Sequence, residues 1–386
     1  MCGGSVDSCC NLLTEFCFVL EKKLILNNVN GEFRSCELSA VIGQSGSGKT
    51  SLLNVLSGYV TKNVFGTIRI NGEDRSDDSF KKLSTYIMQE ENLHPLLTVY
   101  EAMSFAMKFK TGNFYNQKER HSKIISILET LGLDVKINAY SGSLSGGEQK
   151  RLSIAVELVD DPSILFLDEP TTGLDSSSST QCIRLLKRLA QEGKTIICTI
   201  HTPSALILRM FDQLYAMADG CCIYQGSSEN LVPFLNDLGL VCPELYNPSD
   251  FLLEVSTNEY GPQNDRLVKK IKNGLNEQYR ESLNNNHNQS IGRSQKDDKV
   301  FSDNKSSHFV REFTQLMHRN YVFLTRDKLL LLIRLVAHVA VGLMIGFLYF
   351  DIGNSASQIF NIYRFTAIGV GFLSYSGFYS LMVRCK

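Results

Sequence analysis

The sequence predicts an α/β phosphate-binding domain that is followed by an α-helical membrane segment. Three observations support this fold class. A glycine-rich loop at residues 43–50 lies between a strand-like apolar run and a helix-like run. A second apolar run, at residues 164–167, ends in two carboxylates, as expected of a buried strand in a parallel sheet. The residues after 328 are apolar over a length sufficient to cross a bilayer.

Composition narrows the class of protein further. The chain has 386 residues, which exceeds one ordinary domain, and its net charge of −1 gives no bias toward nucleic acid. Its 11 cysteines are scattered without a C-x-x-C pair, and the first ten residues lack a basic start and a long apolar run. We therefore expect a cytosol-facing protein with reduced thiols and no secretory signal.

The glycine-rich loop reads G-Q-S-G-S-G-K-T and fits the pattern G-x-x-x-x-G-K-[ST]. Such glycines let backbone N–H groups point at phosphate oxygens, whereas a chance glycine- and serine-rich turn would lack the correct flanks. We expect Lys49 to reach the β- and γ-phosphates of a nucleotide and the Thr50 hydroxyl to hold Mg²⁺. The predicted binding residues are Gly43, Gln44, Ser45, Gly46, Ser47, Gly48, Lys49, Thr50 and Ser51.

Next along the chain, residues 66–72 predict a strand closed by an Asn-Gly turn, and residues 83–89 predict another strand that ends at Gln89. An amide at this place can act at Mg²⁺ and at an attacking water, although a solvated loop glutamine is the simpler interpretation of the residue alone. Thr98 begins a helix with a capping box, and a second helix follows at about residues 118–131.

Residues 144–151 read L-S-G-G-E-Q-K-R. Ser145 is expected to cap a helix that runs to about Leu158, and the glycines expose backbone N–H groups at its start. The pattern predicts a second helix start that is able to bind an anion, although many helices begin with Ser-Gly-Gly.

The apolar run at residues 164–167 is followed by Asp168 and Glu169. Because ligands of parallel sheets bind at the carboxyl ends of the strands, these carboxylates are expected beside the glycine-rich loop. Asp168 would hold the Mg²⁺ shell, and Glu169 would orient or deprotonate a hydrolytic water; an acidic turn is the alternative. A later strand at residues 194–200 ends at His201, which could hydrogen-bond a γ-phosphate or be structural.

The remaining sequence divides by composition. We expect a nucleotide-binding domain at residues 1–260, with a helical subdomain at about residues 90–160, and a polar linker at residues 261–307. A basic amphipathic helix at residues 308–328 is predicted to lie on a membrane surface.

Two apolar stretches, residues 329–350 and 365–383, are predicted to span the membrane within a partial transmembrane domain at residues 329–386. Basic residues flank the pair of spans, so the positive-inside rule places both ends of the chain in the cytoplasm. A buried soluble helical hairpin is the alternative.

Taken in order, these motifs resemble an ATP-binding cassette (ABC) ATPase. The matching parts are the P-loop at Gly43–Thr50, Gln89 as the Q-loop, Leu144–Gly147 with Glu148 as the signature, Ile164–Asp168 with Glu169 as Walker B, Asp175 in the D-loop and His201 as the switch histidine. The short segments at residues 58–59, 98–101 and 246–251 are similar to sequences of the G (white) subfamily of half-transporters. Residues 257–264 are similar to the branch of that subfamily that includes sterol and phospholipid exporters.

The resemblance implies a P-loop NTPase with a mixed sheet that binds ATP and Mg²⁺ and hydrolyses ATP. Its implied catalytic residues are Glu169, His201 and Gln89, and its implied metal ligands are Thr50, Gln89 and Asp168. Two cassettes would pair head to tail, as a homodimer or a heterodimer. The residues implied to contact nucleotide from the signature and D-loop are Ser145, Gly146, Gly147, Glu148 and Asp175.

The same resemblance implies a multi-pass membrane protein, embedded in the lipid bilayer of the plasma membrane or an intracellular vesicle, with its cassette in the cytoplasm. The expected activity is ATP-driven export of a lipid, a sterol or another amphipathic substrate, with no nucleic acid as partner. A soluble cassette ATPase that acts on DNA or ribosomes is a rival, which the apolar C-terminal stretches disfavour.

Two departures from the family pattern bear on these expectations. The signature has Glu148 where the wider family often has Gln, which the G subfamily tolerates. Such half-transporters also have more membrane spans than the two predicted here, so the chain is expected to be truncated after the second span. The alternative function is therefore a non-transporting isoform or fragment that regulates full-length partners by dimerising with them.

Overall fold

A computed structural model describes residues 24–90, 93–112, 114–276, 278–280, 305–348, 360, 363–364 and 366–371. The chain divides into two compact units, residues 1–301 and residues 302–386. The strands of the described residues are, in chain order, β1 (Leu38–Gly43), β2 (Arg69–Ile70), β3 (Glu73–Asp74), β4 (Ser84–Ile87), β5 (Ile164–Leu167), β6 (Thr195–Ile200), β7 (Gln213–Ala218) and β8 (Cys221–Ser227).

The helices of the first unit lie between these strands or follow the last of them. They are α1 (Lys49–Leu56), α2 (Asp77–Leu83), α3 (Val99–Thr111), α4 (Gln117–Thr130), α5 (Gly146–Glu157), α6 (Ser176–Gln191), α7 (Ala205–Leu208), α8 (Leu231–Asp237), α9 (Pro248–Ser256) and α10 (Asn264–Ile271). The second unit contains α11 (Lys305–Arg326) and α12 (Lys328–Leu348).

Six strands form one mixed sheet in the order β4-β5-β6-β1-β7-β8. Its first five strands are parallel, and β8 pairs with β7 in the antiparallel direction. Every residue of β1 is buried, which explains why this strand is a continuous apolar run rather than an alternating one. The predicted Asn-Gly turn is confirmed, because Asn71 and Gly72 join the short strands β2 and β3 with φ values of 52° and 89°.

The strand register brings the carboxyl ends of four parallel strands to one edge of the sheet. Ile87 at the end of β4 pairs with Leu167 at the end of β5, and Ile42 in β1 pairs with Ile200 at the end of β6. The segments that follow these strands therefore emerge side by side, as the carboxyl edge of a parallel sheet requires.

Three capped helices lie between β4 and β5. The predicted capping box at Thr98 is confirmed, since its hydroxyl accepts from the Glu101 N–H at 3.2 Å and the Glu101 carboxylate accepts from the Thr98 N–H at 3.0 Å. Asn116 caps α4 in the same way, and Ser145 caps α5 as predicted. These boxes fix where each helix begins.

The segment at residues 264–280 packs onto the sheet rather than forming a linker. Leu267 and Ile271 of α10 are fully buried, and α10 lies against β8. Beyond it, the Tyr279 carbonyl accepts from the Ser227 N–H at 2.9 Å, and Arg280 pairs with Glu32 at 2.6 Å. The predicted linker from residue 261 is therefore wrong for this stretch, because the spacing of its apolar residues buries one face of a short helix.

In the second unit, the amphipathic helix predicted at residues 308–328 falls on α11, and the stretch predicted at residues 329–350 falls on α12 up to residue 348. Within the described ranges, no helix combines the length and the apolarity needed to cross a membrane. Residues 349–350 of the first predicted span and residues 365 and 372–383 of the second lie outside the described part, and both spans stay predictions.

Candidate functional site

The predicted phosphate loop connects β1 to α1 and depends on glycine at its first position. A Cβ atom on Gly43 would lie 2.5 Å from the Met217 carbonyl oxygen and 2.6 Å from the Ser47 hydroxyl oxygen. Gly48, the residue before α1, has φ 102°, in the region that favours glycine. The loop can therefore curl tightly over the edge of the sheet only with these residues.

Lys49 begins α1 and turns its side chain back into this loop. It is 6% exposed, and its Nζ donates to the carbonyl oxygens of Gly43 at 2.8 Å and Gln44 at 2.9 Å. Burial lowers the pKa of the Lys49 ammonium, whereas the nearby carboxylates of Glu169 and Asp168 act in the opposite direction. The loop thus carries a cation that its own carbonyl groups hold in position.

Two further loop side chains have distinct surroundings. The Ser47 hydroxyl is buried and lacks a hydrogen-bond partner among the described residues, which is unusual for a buried polar atom. The Gln44 amide donates to the Leu253 carbonyl of α9 at 3.4 Å, while Ser45 and Gly46 at the tip are exposed. An unsatisfied hydroxyl and a buried ammonium in one loop, with exposed residues at the tip, fit the oxygen-rich surface of a phosphate group.

Asp168 follows β5 and lies beside Thr50 of the loop. Its Oδ1 accepts from the Thr50 hydroxyl at 3.3 Å, and its Oδ2 accepts from the Tyr86 hydroxyl at the same distance. Burial, followed by the charge of Asp168, raises the pKa of Tyr86, so this phenol stays a donor. A hydroxyl and a carboxylate oxygen are ligand types that Mg²⁺ prefers, so Thr50 and Asp168 fit the metal predicted from the sequence.

Glu169 has a left-handed backbone, with φ 46°, directly after the strand. Its Oε2 accepts from the Gln89 amide at 3.1 Å and from the Thr172 hydroxyl at 2.8 Å. The structure therefore places the predicted Q-loop amide on the predicted catalytic base. The Gln89 carbonyl in turn accepts from Lys150 of α5 at 3.0 Å.

His201 follows β6 directly and is exposed. Since Ile200 pairs with Ile42, this histidine leaves the sheet next to Gly43 and the phosphate loop. The structure thus brings the P-loop, Gln89, Asp168, Glu169 and His201 to one edge.

The remaining predicted residues form a second group around the starts of α5 and α6. The Ser145 N–H donates to Glu148 at 2.9 Å, and a Cβ on Gly147 would lie 2.9 Å from the side chain of Ser178. Asp175 caps α6 and accepts from the N–H groups of Ser177 and Ser178, both at 3.1 Å. The hydrogen bonds from Ser178 and Ser177 hold the pKa of Asp175 below its usual value.

Sequence reasoning missed three hydroxyl residues that touch the two carboxylates: Thr199, Tyr86 and Thr172. The most informative signal was Thr199, a polar residue inside an otherwise apolar strand run. A buried polar side chain needs a partner, and Thr199 lies one residue before the predicted strand end at residue 200, so its sequence position indicated this edge but not which residue it contacts.

Two transporter family models match parts of this chain. The family model described as "ABC transporter" matches residues 26–172, and the one described as "ABC-2 type transporter" matches residues 201–329. "ABC transporter G family member 1" of Dictyostelium discoideum is 38% identical over 250 residues, which cover 63% of this chain and 32% of that protein. The Arabidopsis thaliana protein of the same description is 37% identical over 239 residues, which cover 60% and 32%.

A dimeric bacterial ABC transporter cassette of known structure is 29% identical, with a TM-score of 0.46, over 53% of this chain and 90% of that one. The matched part of the chain spans about a third of the length of the two G family relatives. It carries an ABC transporter cassette, followed by a match to the ABC-2 membrane domain. Over these parts the chain is similar to ABC transporters, and the two relatives described above are G family members.

Proposed function

We propose that this chain is the ATP-binding and ATP-hydrolysing subunit of a G family half-transporter, which couples ATP hydrolysis to export across a membrane. The observation that carries this proposal is the hydrogen-bonded group at the sheet edge. There, the buried Lys49 lies in the phosphate loop, the Thr50 hydroxyl contacts Asp168 at 3.3 Å, and Gln89 contacts Glu169 at 3.1 Å.

In the proposed reaction, the loop binds the nucleotide phosphates through its backbone N–H groups and the Lys49 ammonium. Thr50 and Asp168 would hold Mg²⁺, which neutralises negative charge on the phosphates when bound. Glu169 orients the attacking water and accepts its proton, and Gln89 and Thr172 keep the carboxylate in place through Oε2. His201, next to the loop, donates to the γ-phosphate.

The second group of residues supports the proposal of a composite site. Ser145 and Gly146 are exposed at the start of α5, where a helix has free N–H groups and a partial positive charge. We propose that this helix start binds the γ-phosphate of a nucleotide held by a second cassette. The partner is a further ABC half-transporter subunit, identical or different.

The proposed cargo is a lipid, a sterol or another amphipathic molecule, and the proposed location is the plasma membrane or an intracellular vesicle membrane. The support is the similarity of residues 257–264 to the exporter branch, together with the amphipathic helix α11. Reconstitution into vesicles with fluorescent sterol and phospholipid probes tests the cargo. ATP-independent redistribution of every probe would contradict export by this chain.

ATP turnover by the purified full chain in detergent is the main test. We expect Glu169→Gln to lower kcat about a hundredfold or more while ATP still binds, because only the base is lost. Lys49→Met is expected to weaken ATP binding itself. Glu129→Gln, the same change at an exposed site on α4, is the matched control and should turn over ATP like the wild type. Wild-type turnover by Glu169→Gln would refute the assignment of the base.

Dimerisation is tested separately with the Glu169→Gln variant, because slow hydrolysis should trap the ATP-bound pair. Light scattering is expected to report a doubled mass when ATP and Mg²⁺ are added, and Ser145→Arg should prevent the increase. A mass that does not respond to ATP would count against the composite site.

A further inference from the structure

Thr199 is a buried hydroxyl residue in the second-to-last position of β6. It is 0% exposed, and its backbone pairs with Val41 in the middle of the sheet. A hydroxyl in such a place needs partners, because burial of an unpaired polar group is unfavourable. Both of its partners belong to the pair of residues that follows β5.

The hydroxyl of Thr199 makes a hydrogen bond in each direction. It donates to Asp168 Oδ1 at 2.6 Å and accepts from the Glu169 N–H at 2.9 Å. A hydroxyl has one donor hydrogen and two acceptor lone pairs, so both bonds can exist at once. One side chain therefore links the carboxylate proposed to hold Mg²⁺ with the backbone of the proposed base.

The two hydrogen bonds restrict different parts of the site, namely the Asp168 side chain and the Glu169 backbone. Asp168 Oδ1 also accepts from Thr50 at 3.3 Å, so the shorter bond from Thr199 fixes how this carboxylate is rotated toward the loop. Glu169 has φ 46°, a conformation that L-residues with a side chain rarely adopt. The bond to its N–H holds this backbone, and the backbone sets the direction in which the Glu169 side chain leaves the strand.

We propose that Thr199 is a positioning residue for ATP hydrolysis: its single hydroxyl sets the orientation of Asp168 and the left-handed backbone of Glu169 together. This inference rests on the proposed function. It predicts a specific pattern of losses. Without the hydroxyl, the phosphate loop still binds nucleotide, because the Lys49 ammonium is held by the carbonyls of Gly43 and Gln44. Loss of the hydroxyl weakens Mg²⁺ binding and slows the chemical step.

The test compares Thr199→Val, which keeps the shape and removes the hydroxyl, with Thr199→Ser, which keeps the hydroxyl. Thr111→Val is the matched control, because the Thr111 hydroxyl is also buried and donates to the Met107 carbonyl at 2.7 Å within α3. The wild type and the three variants, each as the full chain, are purified in detergent. ATP affinity is measured with and without Mg²⁺, alongside kcat.

For Thr199→Val we expect a fall in kcat of about tenfold to a hundredfold, as small misplacements of catalytic groups produce. ATP affinity in EDTA should stay within about twofold of the wild type, whereas the strengthening of ATP binding by Mg²⁺ should be reduced at least several-fold. Thr199→Ser should recover most of both losses. Thr111→Val should resemble the wild type in kcat and in the Mg²⁺ response, whatever its stability.

Hydrogen exchange gives a readout that needs no turnover. The peptide containing the Glu169 amide should exchange faster in Thr199→Val, and not in Thr199→Ser, because the acceptor for that N–H is lost. Unchanged kcat and Mg²⁺ response in Thr199→Val would overturn the inference, as would equal losses in Thr199→Ser. Absence of ATP turnover by the wild type would instead refute the proposed function. In that case, unchanged exchange at Glu169 in Thr199→Val would still reject the positioning role.

Discussion

Truncation of Leu267 or Ile271 to alanine tests whether residues 264–280 belong to the cassette. Both side chains are 0% exposed and pack on the β8 side of the sheet. If this segment were a polar linker, the same changes would have almost no effect on the free energy of unfolding. If the segment packs on the sheet, the same changes should lower the free energy of unfolding substantially.

The size of the effect follows from complete burial. Replacing a buried leucine or isoleucine with alanine costs about 2–5 kcal/mol, through lost transfer free energy and the cavity that remains. For domains of about 150–250 residues, each kcal/mol lowers the melting temperature by about 2–4 °C. We therefore expect each variant to melt about 4–20 °C below the wild type.

Thermal unfolding of the full chain in detergent measures the change in melting temperature, and urea unfolding measures the change in free energy, both followed by far-ultraviolet circular dichroism. Leu275→Ala is the matched control, because Leu275 lies in the same segment but is 63% exposed. A surface change of this kind should alter stability by less than about 0.5 kcal/mol. If Leu267→Ala and Leu275→Ala were equally harmless, the packing of α10 on the sheet would be wrong.

Three further predictions concern other parts of the cassette. Burial opposes ionisation of Glu148, but its hydrogen bonds with Lys136 and with Ser145 in the capping box together lower the pKa of Glu148 below the usual 4.5. The ionised Glu148 therefore stabilises the fold fully above pH 4.5, and this stabilisation is lost as the pH falls through the lower pKa of the folded state. Acid titration should therefore destabilise the wild type more than Glu148→Gln in that window, and parallel curves would contradict it. Gly43→Ala should abolish ATP binding and lower the melting temperature more than Gly193→Ala, since both glycines have positive φ but only Gly43 would bring a Cβ within 2.5 Å of a backbone oxygen. Thr98→Ala should cost about 1 kcal/mol in urea unfolding through loss of the helix cap, and an unchanged midpoint would argue against the capping box.

The local motifs were the most predictable part of the site. The phosphate loop, the capped helix at Ser145 and the acidic end of β5 each depend on neighbours within a few residues, so their spacing in the sequence specifies them. Contacts between side chains on different strands were harder to predict from the sequence. No local pattern indicates that Thr199 contacts Asp168, because these residues lie 31 positions apart and meet only through strand order.

Domain ends were predicted less well for a similar reason. The composition of residues 264–280 is polar, with lysines and asparagines around a few apolar positions. Leu267 and Ile271 are buried because α10 lies against β8, and no local sequence pattern indicates this contact. The left-handed backbone of Glu169 was equally hidden, since glutamate rarely adopts it and the hydrogen bond that stabilises it comes from another strand.

The contact between Lys150 and the carbonyl of Gln89 restricts how the cassette can deform. Lys150 is 2% exposed, and its ammonium donates at 3.0 Å to the backbone of the residue whose amide touches Glu169. A charge-assisted bond of this kind contributes about 1.5–3 kcal/mol, so α5 cannot tilt freely while residue 89 stays still. Any force that a neighbouring molecule exerts on the start of α5 would thus reach Glu169, the proposed catalytic base, through residue 89.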